Sequence, residues 1–376
     1  MSAGRIPNKG RKVCHTRKSL FTGSLPARIL IFLILLQPAY AMGQSLGGGS
    51  SSRIDGRAKF MPIPYVNYDR AFGFAYGAVP MLMFNPVERD TISPSSLVGG
   101  VGMYSTNKTW FAMGFGMFFL SEDRWRITTA GGVGTVHYQF YLDWITGSWI
   151  PYQSEASFFL FKVERRIQDG LYGGVSYIYA DVVTSTDLPF LRDSLTLHGL
   201  GLSLSLDTRD NPHYPSSGQV TALKYNTFPE WFGNESPSKK IEFESNQHFP
   251  VRRQKDVVAA RFYAGIGVGD LGFSQQFIVG GKDIRGYTQG AYRGDYLLTL
   301  QGEYRWNFHR RWGAVGFAGL ATVFEAINDA DNGRLLPGIG TGIRFRAFPE
   351  TNFSVGIDVA AGLDDWGIYF QIGEAF

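Results

Sequence analysis

Leucines occupy positions 200, 202, 204 and 206 of this chain, with Gly201, Ser203, Ser205 and Asp207 between them. The same period of two recurs far from there. Val258, Ala260, Phe262, Ala264 and Ile266 alternate with Ala259, Arg261, Tyr263 and Gly265, and Phe353, Val355, Ile357 and Val359 alternate with Ser354, Gly356 and Asp358. Successive side chains of a β-strand point to opposite faces, so each run predicts a strand with one apolar and one polar face. About sixteen such segments can be counted, starting near residues 60, 72, 96, 110, 124, 154, 170, 195, 218, 239, 255, 294, 311, 336, 351 and 366. The 47 glycines and 15% aromatic residues suit many strands and turns, and no linker divides residues 59–376.

Alternation fits two architectures. A soluble sandwich hides its apolar faces between two sheets, whereas a membrane barrel turns them outward to lipid and keeps polar faces within. The amino terminus favours the barrel. Seven basic residues from Arg5 to Arg28 precede the apolar run Ile29–Leu36, and Ala39-Tyr40-Ala41 offers a small-x-small cleavage site. Residues 1–41 thus read as a secretory signal peptide, the apolar run being far below the ~20 residues of a spanning helix. Removing them leaves 29 basic residues (36 − 7) against 32 acidic ones, so the basic balance of the whole chain carries no implication of nucleic-acid binding. The lone cysteine, Cys14, lies in that segment, which removes disulfides and thiolate chemistry from the exported chain. Residues 42–58, with Gly47-Gly48-Gly49-Ser50-Ser51-Ser52, read as a flexible lead-in.

Tryptophans 110, 125, 149, 306, 312 and 366 fall near strand ends, as interfacial girdles do. In the last segment Trp366, Ile368, Phe370, Ile372 and Phe376 share one face by parity, and a terminal aromatic on such a strand resembles the assembly signal of outer-membrane barrels. Connections alternate in length. Those after even-numbered segments are mostly short (Ser121–Asp123, Ile167–Asp169, Pro250–Gln254, His309–Arg310, Pro349–Glu350), with Asn85–Ser95 the exception. Those after odd-numbered ones are mostly long: Tyr141–Gln153, Thr184–Ser194, Pro229–Ser238, Val268–Arg293 and Glu325–Leu335. Short periplasmic turns and longer external loops are the plan of such a barrel.

Two segments stand out from the alternation. One is DTRDNPHYPSSG, Asp207 to Gly218, at the turn after the eighth segment; the other is the glycine-rich, charged stretch Gly280 to Asp295, with Ile284-Arg285-Gly286-Tyr287 at its centre. Asp207 and Asp210 suit turn capping, while Pro212 and Pro215 stop a ladder. With the C-terminal strands, the two motifs resemble the BamA/TamA superfamily (bacterial surface antigen family), whose members carry D-x-R-x-x-x-x-x-P-x-x-G at that turn and R-G-[FY] in the sixth external loop. Asp207, Arg209, Pro215 and Gly218 match the first motif, and Arg285, Gly286 and Tyr287 the second; the resemblance covers about residues 195–376. It implies a sixteen-stranded outer-membrane barrel with that loop folded inward and its arginine on an acidic residue of the inner wall. Alternation offers Glu303, Asp358, Glu242 and Glu244 as partners, Glu303 first; in a departure from the family's pattern, Gly319 stands where the family places an aspartate. Arg261, Arg305, Arg344 and Arg346 share the polar face.

The resemblance further implies an integral barrel of a Gram-negative outer membrane, working in protein assembly, insertion or translocation, with lipid, the assembly machinery and client proteins as partners. Residues 42–58 are too short for the family's periplasmic POTRA domains, so the expectation is a barrel standing alone. A passive channel for small molecules and a structural surface antigen remain the alternatives. Enzyme signatures fail. Gly267-Val268-Gly269-Asp270-Leu271-Gly272 has neither the helix nor the βαβ setting of a nucleotide site, G-x-S-x-G is absent, and five scattered histidines show no metal spacing. No cofactor or metal is expected.

Overall fold

The computed structural model describes residues 54, 58–69, 73–142, 148–186, 193–211, 214–252, 256–269, 271, 275–281, 283–288, 291–326, 328–348 and 353–376. The proposed signal peptide, most of the lead-in and Pro212 lie outside these residues. The strands are β1 (Ala58–Asp69), β2 (Gly73–Phe84), β3 (Ser96–Ser105), β4 (Trp110–Leu120), β5 (Trp125–Leu142), β6 (Ser148–Gln168), β7 (Leu171–Thr186), β8 (Asp193–Asp207) and β9 (Gly218–Phe228). There follow β10 (Ser238–Val251), β11 (Asp256–Gly269), the two-residue β12 (Phe277–Ile278), β13 (Arg293–Trp306), β14 (Trp312–Ala326), β15 (Leu336–Phe348), β16 (Phe353–Ala361) and β17 (Trp366–Ile372). All belong to one antiparallel sheet in which each long strand pairs with its sequence neighbours and β17 returns to β1. This is the expected all-β barrel of about sixteen spanning strands.

Burial chooses between the two architectures. Leu298, Leu300, Ile339, Ile343, Ile357 and Val359 are exposed, while Arg261, Glu303, Arg305, Arg344 and Asp358 on the opposite faces are buried. In water that would be inside out, because charged side chains are almost never fully buried and large apolar ones rarely line up outside. In a bilayer it is the required arrangement: the backbone groups pair between neighbouring strands of a sheet curled back on itself, and the apolar band faces lipid.

The hairpin of β5 and β6 corrects one expectation. Most of the loop expected at Tyr141–Gln153 is strand, with Leu142 still opposite Ser148. Its aromatic and β-branched residues extend the ladder because they fit a pleated surface better than a turn. The long connection at Asn85–Ser95 also has a local cause. Asp90 accepts hydrogen bonds from the Ser93 amide (2.9 Å), the Ser93 hydroxyl (2.6 Å), the Ile92 amide (3.1 Å) and, across the rim, the Glu122 amide (2.8 Å). The Ser93 hydroxyl in turn accepts from the Asp123 amide at 2.7 Å. These bonds hold the next turn, where Ser121, Glu122 and Asp123 all take left-handed backbone angles. Burial alone would raise the Asp90 pKa; the hydrogen bonds outweigh it and lower it from 3.8 to about 2.

Closure is incomplete. β1 and β2 run opposite each other from Ala58–Phe84 to Asp69–Gly73, whereas among the described residues β1 and β17 meet at one pair, Tyr68 opposite Ile368. The β1 sequence supplies a reason. Pro62 stands opposite Pro80 in the β1–β2 ladder, and Pro64 opposite Ala78. Two prolines facing each other have no N–H to exchange, so Pro62–Pro80 is a non-hydrogen-bonded pair, and so by parity is Pro64–Ala78. The nitrogens of Pro62 and Pro64 therefore point away from β2, toward the seam, and remove two donors from that edge. On the other side Pro80 interrupts the β2–β3 register between Ala78 and Met81.

Candidate functional site

The glycine-rich segment after β11 brings Arg285 to the polar faces of two strands. Its guanidinium donates to Glu303 Oε2 on β13 at 2.8 Å and to Asp358 Oδ2 on β16 at 2.5 Å, and lies 3.3 Å from the ring centre of Phe317 on β14. Only the planar fork of an arginine reaches two carboxylates on different strands while stacking on an aromatic between them.

Each carboxylate has a second arginine. Glu303 accepts from Arg305 at 2.9 Å, and Asp358 from Arg344, both of whose terminal nitrogens reach it. Those two arginines converge on Glu374, just past β17, at 3.5 Å and 3.4 Å. The six groups form a closed ring: Arg285, Glu303, Arg305, Glu374, Arg344, Asp358 and back to Arg285. Three positive charges alternate with three negative ones, and none of the six residues is more than 5% exposed. Alternation is what makes burial tolerable, because each charge has two opposite neighbours to replace lost hydration. The local sequence makes room for it: a Cβ on Gly342 would overlap the Asp358 carboxylate.

The neighbours of Arg285 fix the segment around it. Gly286 takes φ of 108°, and a Cβ there would lie 2.5 Å from the Ala361 backbone, so only glycine passes this point unstrained. Its amide donates to the Tyr369 hydroxyl at 2.9 Å. The Tyr287 hydroxyl donates to the Pro337 carbonyl at 2.6 Å and accepts from the Leu363 amide at 3.2 Å. Ile284 and Tyr287 are buried with Phe277, Val279, Leu297, Ala321, Val323 and Leu336. Gly319 leaves space that Gln301 fills, and the Gln301 amide donates to the Asp283 carbonyl at 2.6 Å.

Of the four candidate partners, Glu303 and Asp358 meet Arg285, and Glu242 and Glu244 do not. Glu244 pairs with Arg261 at 3.0 Å, and Glu242 accepts from the Tyr263 hydroxyl at 3.1 Å. Both sit on β10, where Arg261 and Tyr263 of the adjoining β11 take them up in place of the loop arginine. The C-terminal face also needs correction. β17 stops at Ile372, because Gly373 takes φ of 77° and turns the chain off the ladder. Phe376 is consequently buried, and its backbone oxygen accepts from Arg305 at 2.6 Å, so it does not share a face with Trp366 and Ile368. Phe370 does remain beside the seam, edge-on to Tyr65 with centroids 5.8 Å apart, and Ile372 stands opposite Val355. Arg305 and Arg344 were legible as inward residues; Glu374 was hidden by parity, and Gly373 was its only signal.

The second motif is a separate knot at the short-turn end. Asp207 holds Arg209 at 2.9 Å and Arg126 of β5 at 3.3 Å, and Arg126 in turn reaches Asp123 at 2.8 Å and stacks on Tyr172 at 3.6 Å. Asp210 caps the amides of Ser216 (2.9 Å) and Ser217 (3.1 Å). Gly218 takes φ of 86°, with the Thr208 carbonyl 2.1 Å from where a Cβ would stand. The Pro215 carbonyl accepts from Arg305 at 3.3 Å, which ties this turn to the ring.

A single, nearly closed sheet whose last strand returns to its first, charged within and apolar without, is an outer-membrane β-barrel. Its residues 191–376 match the Omp85 superfamily domain, and its fold is similar to that of solved BamA barrels. No curated protein sequence matches the chain. Solved structures with the same fold include BamA from Haemophilus ducreyi lacking POTRA domains 1–3 (TM-score 0.58, 10% identity) and CdiB from Escherichia coli (0.61, 12%) and Acinetobacter baumannii (0.56, 13%). Each match covers 85% of this chain, and 70%, 63% and 60% of those chains respectively, so the chain spans less than two thirds of either CdiB.

Proposed function

We propose that this barrel, exported by its signal peptide to the outer membrane of a Gram-negative cell, serves in assembly, insertion or translocation of proteins. The carrying observation is the combination of one weak seam with a buried ring that ties the Gly280–Asp295 segment to the strands nearest it. In this reading that segment is the sixth external loop, folded into the lumen and pinned through Arg285. The loop holds the interior while the β1–β17 edge opens sideways toward lipid. Partners would be lipid, the assembly machinery and client proteins, with no catalysis and no cofactor. A channel for small solutes is the second reading, favoured by a lumenal cavity of about 130 Å³ lined by Arg126, Lys162, Glu164, Lys224 and Glu244.

Depletion of the protein in its host, followed by quantitation of outer-membrane and secreted proteins, separates the two. The proposal expects selective loss of client proteins. Unchanged protein levels with slowed uptake of a charged solute would sink it in favour of the channel.

A further inference from the structure

The turns between β10 and β11 and between β13 and β14 are neighbours at the short-turn end, because β11 pairs with β13. They present Arg252, His309, Arg310 and Arg311, all exposed, and Arg346 of β15 leans against them. Arg252 is balanced by Asp256 at 3.0 Å. Arg346 donates to the Arg310 carbonyl at 3.1 Å, and its Nε has no hydrogen-bond partner. Among the described residues no carboxylate lies within ion-pair distance of Arg310, Arg311 or Arg346. At the far end of β14 and β15 the sign reverses, with Glu325, Asp329 and Asp331 against Arg334.

Above these arginines the wall carries aromatics. Trp306 and Phe308 are 5.2 Å apart, Trp312 and Phe345 4.9 Å, and all but the half-buried Phe345 are exposed. Outward aromatics at strand ends mark the depth at which hydrocarbon gives way to headgroups. Cations just beyond that girdle stand at the level of lipid phosphates, whose oxygens suit a guanidinium fork.

We propose that this patch is a binding site for an anionic phospholipid, its phosphate held by Arg310 and Arg311 and its acyl chains lying along Trp306, Phe308 and Trp312. A lipid is favoured over an acidic protein because the unpaired charges are joined to an outward aromatic surface on the bilayer side. A protein approaching from water would use the charges alone.

The test is native mass spectrometry of the full chain, released from detergent micelles holding equal amounts of phosphatidylglycerol and phosphatidylethanolamine with matched acyl chains. The wild type should retain phosphatidylglycerol over phosphatidylethanolamine by on the order of tenfold, the effect expected of two arginines at a membrane surface. R310Q/R311Q should bring the two lipids within about twofold, while E325Q/D331N at the opposite rim leaves the preference intact. Half-molar salt should erase it in the wild type, a readout independent of how the variants fold. Equal retention of the two lipids by the wild type, which would leave the arginines to an acidic protein, overturns the proposal. So does a preference that survives R310Q/R311Q.

Discussion

Removing Arg285 should destabilise the barrel through the ring rather than through one pair. Among the six ring members the charges sum to zero (three arginines, three carboxylates), and Arg285→Ala leaves them at −1. Breaking a buried pair by deleting one partner costs about 3–5 kcal/mol. Here Glu303 keeps Arg305 and Asp358 keeps Arg344, which places the cost near the lower end, about 3 kcal/mol, with the lost stacking on Phe317 included. Arg285→Lys should recover little, since one ammonium cannot bridge two strands. The double variant Arg285→Ala/Glu303→Gln restores neutrality, two arginines facing two acids. It should be less destabilised than the sum of its parts, with a coupling of about 2 kcal/mol. Urea titration of the barrel folded into lipid vesicles, monitored by tryptophan fluorescence, measures each arm of the cycle. Additivity within about 0.5 kcal/mol, or an Arg285→Ala barrel as stable as the wild type, would refute the ring as a coupled unit.

The other predictions concern the seam, the turn motif and the rim. Pro62→Thr/Pro64→Thr returns two donors to the β1 edge and should slow amide exchange in β1 and stabilise the barrel by about 1 kcal/mol per bond gained; exchange unchanged from wild type would show that the prolines do not set the seam. Gly218→Ala must adopt a φ of 86° against the Thr208 carbonyl and should lower the yield of heat-modifiable folded barrel, at a cost of about 1–3 kcal/mol; a variant folding as well as wild type contradicts the geometry. For Asp90 the folded pKa lies below the unfolded value, so its stabilisation is full above pH 3.8 and fades as pH falls toward about 2. The stability gap between wild type and Asp90→Asn should therefore close across that interval, and a gap that widens on acidification would reverse the assignment.

The strands were legible because a barrel in lipid imposes period two on every spanning segment, as at Leu200 to Asp207, and the observed starts fall close to the expected ones. Loop lengths were less so. Tyr141 and Trp149 sit in an aromatic-rich hairpin whose residues tolerate either strand or loop until a partner is known. At the site, the family resemblance singled out Arg285 and facing parity offered Glu303 and Asp358, but parity also admitted Glu242 and Glu244, since it says which wall a residue faces and not how far along it stands. Glu374 went unseen and Phe376 was placed on the outer face for one reason: a single glycine at 373 resets the alternation, so both acquire partners that no periodic reading could assign. The prolines of β1 gave the opposite case, a seam property written in sequence that becomes visible only once Pro62 is known to face Pro80.

The account rests on Arg285 holding the Gly280–Asp295 segment inside the barrel, and single-channel recording on the purified chain in planar bilayers tests this most directly. Small or infrequent steps in the wild type, with large, long-lived openings in a folded Arg285→Ala variant, are the predicted result. Large steps of the same size in both proteins would contradict it.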